Sequence, residues 1–247
     1  MAYNYKMIIG YDGAKYQGWQ KNKNAKNTLQ SKLEGTLSEY LGEEIVVIGS
    51  GRTDKGVHAL GQVVNFITKS KQKPGNLKYN LNKVLPEDII IKEVYKVDED
   101  FNCRFAAISK TYRYTLWKAN AQTMPLFERK YVYRLEEQVD VDLMLVAATK
   151  FIGEHDFKGF CSDKTKKTTT RKVNIIDIIE DEDRIEIIIN ASGFLYNMAR
   201  IMVGTLIEIG LGLRHDDTID QVFASKIRSE AGYTAPAQGL CLMEVIY

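Results

Sequence analysis

Ile45-Val46-Val47-Ile48, then Gly49-Ser50-Gly51-Arg52-Thr53-Asp54-Lys55-Gly56-Val57-His58-Ala59, then Gln62-Val63-Val64-Asn65-Phe66-Ile67 is the stretch from which the rest of the chain can be read. Two apolar runs rich in β-branched residues flank a polar segment with three glycines, the pattern of two strands joined by a loop. That loop sets an arginine, a threonine, a carboxylate and a lysine in consecutive positions. A carboxylate beside two cations is ionised at neutral pH, and loops carried on strands are where binding and catalytic groups concentrate. A hairpin turn whose Asp54 merely caps backbone amides has the same composition. Residues elsewhere in the chain have to decide between the two.

Working outward, residues 5–11 read as a strand and 28–41 as a helix with Leu29, Leu33 and Leu37 on one face. Residues 45–48 and 62–68 are the strands beside the loop, 76–85 a helix stopped by Pro86, and 89–97 a strand. The order is βαββαβ, the ferredoxin-like arrangement of an antiparallel sheet under two helices. The second half uses the same logic: strands at 106–117 and 130–135, a helix at 140–151 capped by Asp140, and a hairpin of 173–180 with 184–190 around an acidic turn. Helices at 194–210 and 218–225 and a strand at 240–246 follow. The expected fold class is α+β: two ferredoxin-like subdomains with a largely antiparallel sheet, residues 1–106 and 107–247, and a long basic groove between them.

Of 247 residues, 45% are apolar and 27% charged, as in ordinary soluble globular proteins. No apolar run reaches the roughly eighteen residues of a membrane span. Residues 1–6 lack a signal core, so a cytoplasmic protein is expected. Cys103, Cys161 and Cys241, like His58, His155 and His215, are scattered without zinc spacing, and no metal site is expected. The net charge of +2 is small, but its distribution is segregated. Lys15, Lys21, Lys23 and Lys26 form one basic cluster beside Tyr16 and Trp19; Lys69, Lys71 and Lys73 form another; Lys164, Lys166, Lys167, Arg171 and Lys172 form a third. Each alone suits a solvated loop. Together they suit a polyanion.

Two further segments carry chemistry. The helix around Arg200 is apolar almost all round and should be buried, so its guanidinium needs a partner. Glu208, two turns on, and a carboxylate from another loop are the candidates; snorkelling to the surface is the alternative. In Lys110-Thr111-Tyr112-Arg113-Tyr114 the alternation puts Tyr112 and Tyr114 on one sheet face with Lys110. Such aromatics can stack bases, although plain sheet packing is the commoner use of paired tyrosines.

Taken in order, these residues resemble the tRNA pseudouridine synthase A (TruA) family almost end to end. Tyr11-Asp12-Gly13 with Tyr16, Gly18, Trp19 and Gln20 looks like its opening signature, and Gly51 to Ala59 like its catalytic motif. Leu81-Asn82, Leu85-Pro86-Glu87-Asp88-Ile89, the Lys110 to Tyr114 strand, Phe194-Leu195 with Met198 and Arg200, Val203-Gly204, and Ala235-Pro236-Ala237 with Gly239-Leu240 complete the match. The resemblance implies the pseudouridine synthase fold, with a catalytic cleft between the subdomains. It makes Asp54 the catalytic aspartate, Tyr112 the active-site tyrosine, Arg200 the arginine that pairs with the aspartate, and Arg52 an arginine that displaces the target nucleotide.

It further implies a homodimer without metal or organic cofactor, acting on uridines 38, 39 and 40 of the tRNA anticodon stem-loop. Lys55, Lys21, Lys164, Lys166, Lys167 and Arg171 are then the expected RNA contacts. Three positions depart from the family pattern. Lys55 stands where alanine is usual, Phe101-Asn102-Cys103-Arg104 where Phe-His-Ala-Arg is typical, and Ala199 where valine is common. They bear on the RNA target. A paralogue acting on another RNA such as rRNA, a non-catalytic RNA-binding protein, and a carboxylate hydrolase unrelated to RNA are the alternative readings.

Overall fold

The computed structural model describes residues 2–22 and 27–247. Its elements in chain order are β1 (Tyr3–Tyr11), α1 (Leu29–Leu41), β2 (Val47–Gly49), β3 (His58–Thr68), α2 (Pro74–Val84), β4 (Ile89–Val97), β5 (Ser109–Trp117) and β6 (Tyr133–Arg134). There follow α3 (Val141–Ala148), β7 (Gly153–Asp156), β8 (Thr170–Glu180), β9 (Arg184–Ala191), α4 (Met198–Gly210), α5 (Thr218–Ser225) and β10 (Leu240–Ile246). The chain is α+β with mostly antiparallel strand pairing, and it divides into two compact units, residues 1–108 with 241–247 and residues 109–240. No helix among the described residues is long and apolar enough to cross a membrane.

In the first unit β1 lies between β3 and β4, antiparallel to both. Tyr5, Met7, Ile9 and Tyr11 alternate along β1 and are all buried, the period-two signature of a strand with one face on the core. Helix α1 buries Leu29, Leu33 and Leu37; Thr28 and Ser31 form its capping box, and Gly42 closes it in the left-handed conformation. Helix α2 begins on Pro74, whose fixed φ suits the first helical position, and packs against β4. The free edge of β3 is shared: β2 pairs antiparallel with Val64 to Phe66, while β10 pairs parallel with His58 and Ala59. The end of β3 next to the Asp54 loop is thus completed by a strand from far along the chain.

In the second unit β9 runs antiparallel between β5 and β8, and β7 is antiparallel to β8. The β8–β9 turn is the expected acidic one. Asp181 Oδ1 accepts from the backbone N–H groups of Asp183 and Arg184, a side-chain turn that needs the short carboxylate. Asp140 caps α3 through Leu143 N–H. Helix α4 is buried on nearly every side, with Ile201, Met202, Val203, Leu206 and Ile207 all inside, and it packs on α3.

Several boundaries differ from the sequence expectation. Strand β5 starts at Ser109 rather than 106, because Asn102 holds 102–106 as a turn: its Oδ1 accepts from Arg104 N–H, and Ala106 N–H bonds its carbonyl. The strand expected over 130–135 shrinks to Tyr133–Arg134 behind a 3₁₀ turn at Glu128–Lys130. Helix α3 tightens into a 3₁₀ turn after Ala148. Helix α4 starts at Met198, not 194, because Asn197 adopts a left-handed backbone (φ 62°) that no helix can pass through.

Two helical glycines separate packing from propensity. A Cβ on Gly204 of α4 would lie 1.9 Å from the Tyr233 carbonyl oxygen, whereas one on Gly35 of α1 would meet nothing within 4 Å. Alanine should raise helix propensity at both sites by roughly 0.5–1 kcal/mol, but at Gly204 the collision dominates. We expect Gly35→Ala to stabilise by that amount and Gly204→Ala to destabilise by roughly 3 kcal/mol, as overpacking does. Denaturant unfolding of the two variants checks the opposite signs.

Candidate active site

The Asp54 loop is anchored through its buried neighbour Thr53. Trp19 N–H donates to the Thr53 carbonyl at 3.0 Å, and the Tyr11 phenol and Thr53 hydroxyl share a buried 2.9 Å hydrogen bond. Gly18, just before Trp19, has φ of 93° and lies against the same peptides: a Cβ there would come within 3.0 Å of the Thr53 carbonyl oxygen. Only glycine combines that backbone with that approach. Burial pushes the Tyr11 phenol well above its ordinary pKa, against the pull of its hydrogen bonds to Thr53 and Gln62. The phenol is therefore protonated at neutral pH and the brace does not switch. With Thr53 held inward, Arg52 and Lys55 face solvent and Asp54 is half-buried. Val57 N–H closes the turn onto the Asp54 carbonyl at 3.1 Å.

Both ends of the loop are tied down as well. Ser50 Oγ donates to Gln62 Oε1 at 2.7 Å, and Gln62 Nε2 donates to the Gly51 carbonyl at 3.0 Å. The phenol of Tyr247 donates to the Cys103 carbonyl at 2.8 Å and hydrogen-bonds Ser50; burial holds its pKa high. At the other end His58 Nδ1 lies 3.1 Å from both Gly13 N–H and Asp12 Oδ1. One nitrogen cannot serve both, since it must be unprotonated to accept from Gly13 and protonated to pair with Asp12. With either proton placement His58 ties this end of the loop to the Asp12-Gly13 segment, whose Asp12 Oδ1 also accepts from Ala14 N–H at 2.9 Å. Asp88 steadies this segment, accepting Asp12 N–H on its carbonyl and the Tyr16 phenol, at 2.5 Å, on its carboxylate.

In the second unit Tyr112 sits in β5 opposite Ile189 of β9, buried, with the Phe194 ring edge-on at 4.9 Å. Two residues along the same face, Tyr114 donates its phenol to the Pro236 carbonyl at 2.7 Å, and burial keeps that phenol protonated. Arg200, in the first turn of α4, donates Nε to the Ala235 carbonyl at 2.7 Å and Nη1 to Asn197 Oδ1 at 3.0 Å. Ala235 N–H returns a bond to the Arg200 carbonyl at 3.1 Å. Segment 235–236 therefore holds both Tyr114 and Arg200. Glu208, the in-helix partner considered for Arg200, is engaged instead by Arg214 Nε.

The expected RNA contacts fall into different settings. Lys164, Lys166 and Lys167 are exposed on one loop, as are Lys69, Lys71 and Lys73 on another. Arg171 is half-buried and turns back on its own loop, donating Nη1 to the Thr170 carbonyl at 2.6 Å, and burial lowers its pKa, though a guanidinium stays charged at neutral pH. Lys21 Nζ lies 3.0 Å from Glu34, a buried carboxylate that also accepts Val47 N–H. Lys23 and Lys26 lie outside the described residues. Among the described residues no group of three or more His, Cys, Asp or Glu side chains is placed to hold a metal ion. Reading from sequence missed Tyr11, Gln62, Ser50 and Asn197 as braces; only the alternation along β1, which aims Tyr11 inward, signalled one of them.

A family model described as tRNA pseudouridine synthase matches residues 7–106 and 147–247. The tRNA pseudouridine synthase A of Acetivibrio thermocellus is 45% identical over 245 residues, 99% of either chain. That of Bacillus sp. (strain KSM-64) is 46% identical over 240 residues, 97% of either chain. A protein of Clostridium tetani named tRNA pseudouridine synthase A 2 is 43% identical over the full length of both.

The Tyr11 brace can be tested without reference to chemistry. Tyr11→Phe leaves a buried threonine hydroxyl short of a partner, a loss of about 1–2 kcal/mol. Amide exchange at residues 53–57 should accelerate more than exchange in α1. Equal protection of the loop in variant and wild type would show that the phenol does not hold it.

Proposed function

This chain belongs to the tRNA pseudouridine synthase family, and we propose that it isomerises uridine to pseudouridine in tRNA with Asp54, Tyr112 and Arg200 as the reacting set. The observation that carries this reading is Asp54 itself: a half-buried carboxylate on a loop braced at Thr53, Gly51 and His58, inside the stretch 7–106 that the family model matches. We read both halves as ferredoxin-like. The strand order β4-β1-β3-β2 supports this for the first unit, and the sequence of elements β5, α3, β8, β9, α4 for the second.

The reaction breaks the C1′–N1 bond of uridine, turns the ring, and forms a C1′–C5 bond. The proton on C5 is lost and N1 gains one, so nothing is added or removed overall. The target nucleotide must first leave its stack, a cost of about a few kcal/mol, which Arg52 offsets by filling the vacated place. Asp54 acts at the ribose, as a nucleophile at C1′ or as a base, and must be ionised for either role. Pairing with Arg200 keeps it ionised and aligned. The Ala235 carbonyl and the Asn197 carboxamide orient Arg200 without cancelling its charge. Tyr112, fixed against Phe194, stacks on the base and assists removal of the C5 proton.

The resemblance extends the reading to uridines 38, 39 and 40 of the anticodon stem-loop, and to a cytoplasmic homodimer. RNA affinity then comes chiefly from the exposed lysines at 164, 166 and 167, with Lys55 beside the reacting carboxylate. Lys21 contributes less, because its ammonium already neutralises Glu34. Arg171 shapes the loop that carries the lysines.

Asp54→Asn should abolish pseudouridine formation on an unmodified tRNA transcript while leaving the Kd for that transcript within about threefold of wild type. Turnover near wild type in the purified variant would overturn the assignment. The triple variant Lys164→Glu, Lys166→Glu, Lys167→Glu should weaken tRNA binding by about tenfold or more. It should also flatten the dependence of log K on log salt by roughly one unit for each phosphate no longer neutralised. An unchanged slope would remove this loop from the RNA interface.

A further inference from the structure

We propose that Asn197 is a positioning residue for Arg200, setting where the guanidinium points when it meets the reacting carboxylate; this rests on the role given to Arg200 above. Asn197 occupies the position before α4 where an asparagine ordinarily caps the helix, yet its side chain makes no capping bond. The carboxamide is used elsewhere. Oδ1 accepts from Arg200 Nη1 at 3.0 Å, one turn into the helix, and Nδ2 donates to Ser162 Oγ at 3.0 Å. The direction of this chain follows from chemistry. Arginine has donors only, so Asn197 must turn its oxygen to Arg200 and its NH₂ to Ser162.

With a left-handed backbone ahead of α4, the Asn197 side chain reaches Arg200 in the first turn and bonds no helix amide. Ser162 secures the other end twice, through its hydroxyl to Asn197 and through its N–H to the Tyr196 carbonyl at 3.1 Å. Among the contacts that hold Arg200, Ala235 takes Nε and Asn197 takes Nη1. Without Asn197 the Nη1 side of the guanidinium loses this hold, and a small displacement of a charged group matters more for its alignment with a reacting partner than for the fold. Ser162 also opens the segment that carries Lys164, Lys166 and Lys167, so the lysine loop and the arginine share one anchor.

Asn197→Gly separates the side chain from the backbone, since glycine adopts φ of 62° without steric cost. We expect a Tm lowered by no more than about a few degrees, a KM for tRNA within about twofold of wild type, and a single-turnover rate lowered roughly ten- to thirty-fold, as a small misplacement of a reacting group allows. In an Arg200→Gln background the same change should lower the residual rate by less than about twofold, because Asn197 acts only through the guanidinium. A wild-type rate for Asn197→Gly, or an equal loss in both backgrounds, overturns the proposal. Asp54→Asn assayed alongside separates the two failures: if it is inactive while Asn197→Gly is normal, only this inference falls, and if it is active, the functional reading falls first.

Discussion

The shape of the Asp54 loop depends on how Thr53 is held. Its carbonyl is fixed by Trp19 N–H and its hydroxyl by the Tyr11 phenol, so the residue between Arg52 and Asp54 cannot rotate. A loop with three glycines in eight positions would otherwise explore many conformations. Pinning one residue on two sides removes most of that freedom where it matters, while leaving the flanking cations in solvent. The opening segment Tyr11 to Trp19 thus reads as a mould for the loop: Gly18 and Trp19 form its wall, Tyr11 its floor, and Asp88 keeps the segment from drifting.

The second unit solves a different problem. An arginine in the first turn of a largely apolar helix must have its donors satisfied. A carboxylate within the same helix would have satisfied it, but Glu208 is engaged by Arg214. A main-chain carbonyl and a carboxamide each take one of its donors, and both are neutral groups. The close approach of α4 to the segment around Tyr233, possible only because residue 204 is glycine, brings the Ala235 carbonyl within reach of Nε.

Much of this is legible in the sequence, and the reasons are local. Alternation in β1, the leucine spacing of α1, Pro86 after α2, Asp140 before α3 and the acidic turn between β8 and β9 are all written within a few residues of where they act. What stays hidden depends on partners distant in sequence or on unusual backbone. The start of α4 lies four residues beyond the start of its apolar pattern, because a non-glycine residue in the left-handed region carries no reliable mark. The bond from Arg200 to the Ala235 carbonyl escapes a sequence reading because a main-chain carbonyl has no letter of its own. Lys21 reads as a free cation because its carboxylate, Glu34, becomes a buried group only once α1 folds.

The edge of β3 carries one more implication, for the order of events during synthesis. Its end beside the Asp54 loop is paired by Cys241 and Leu242, and the phenol of Tyr247 reaches the base of that loop. These residues leave the ribosome after every other strand of the sheet. A nascent chain can collapse β1, β3 and β4 early, but it carries an open strand edge next to the Asp54 loop until β10 arrives. Completion of the strand edge beside the Asp54 loop is therefore a late event in folding, set by the position of β10 in the chain.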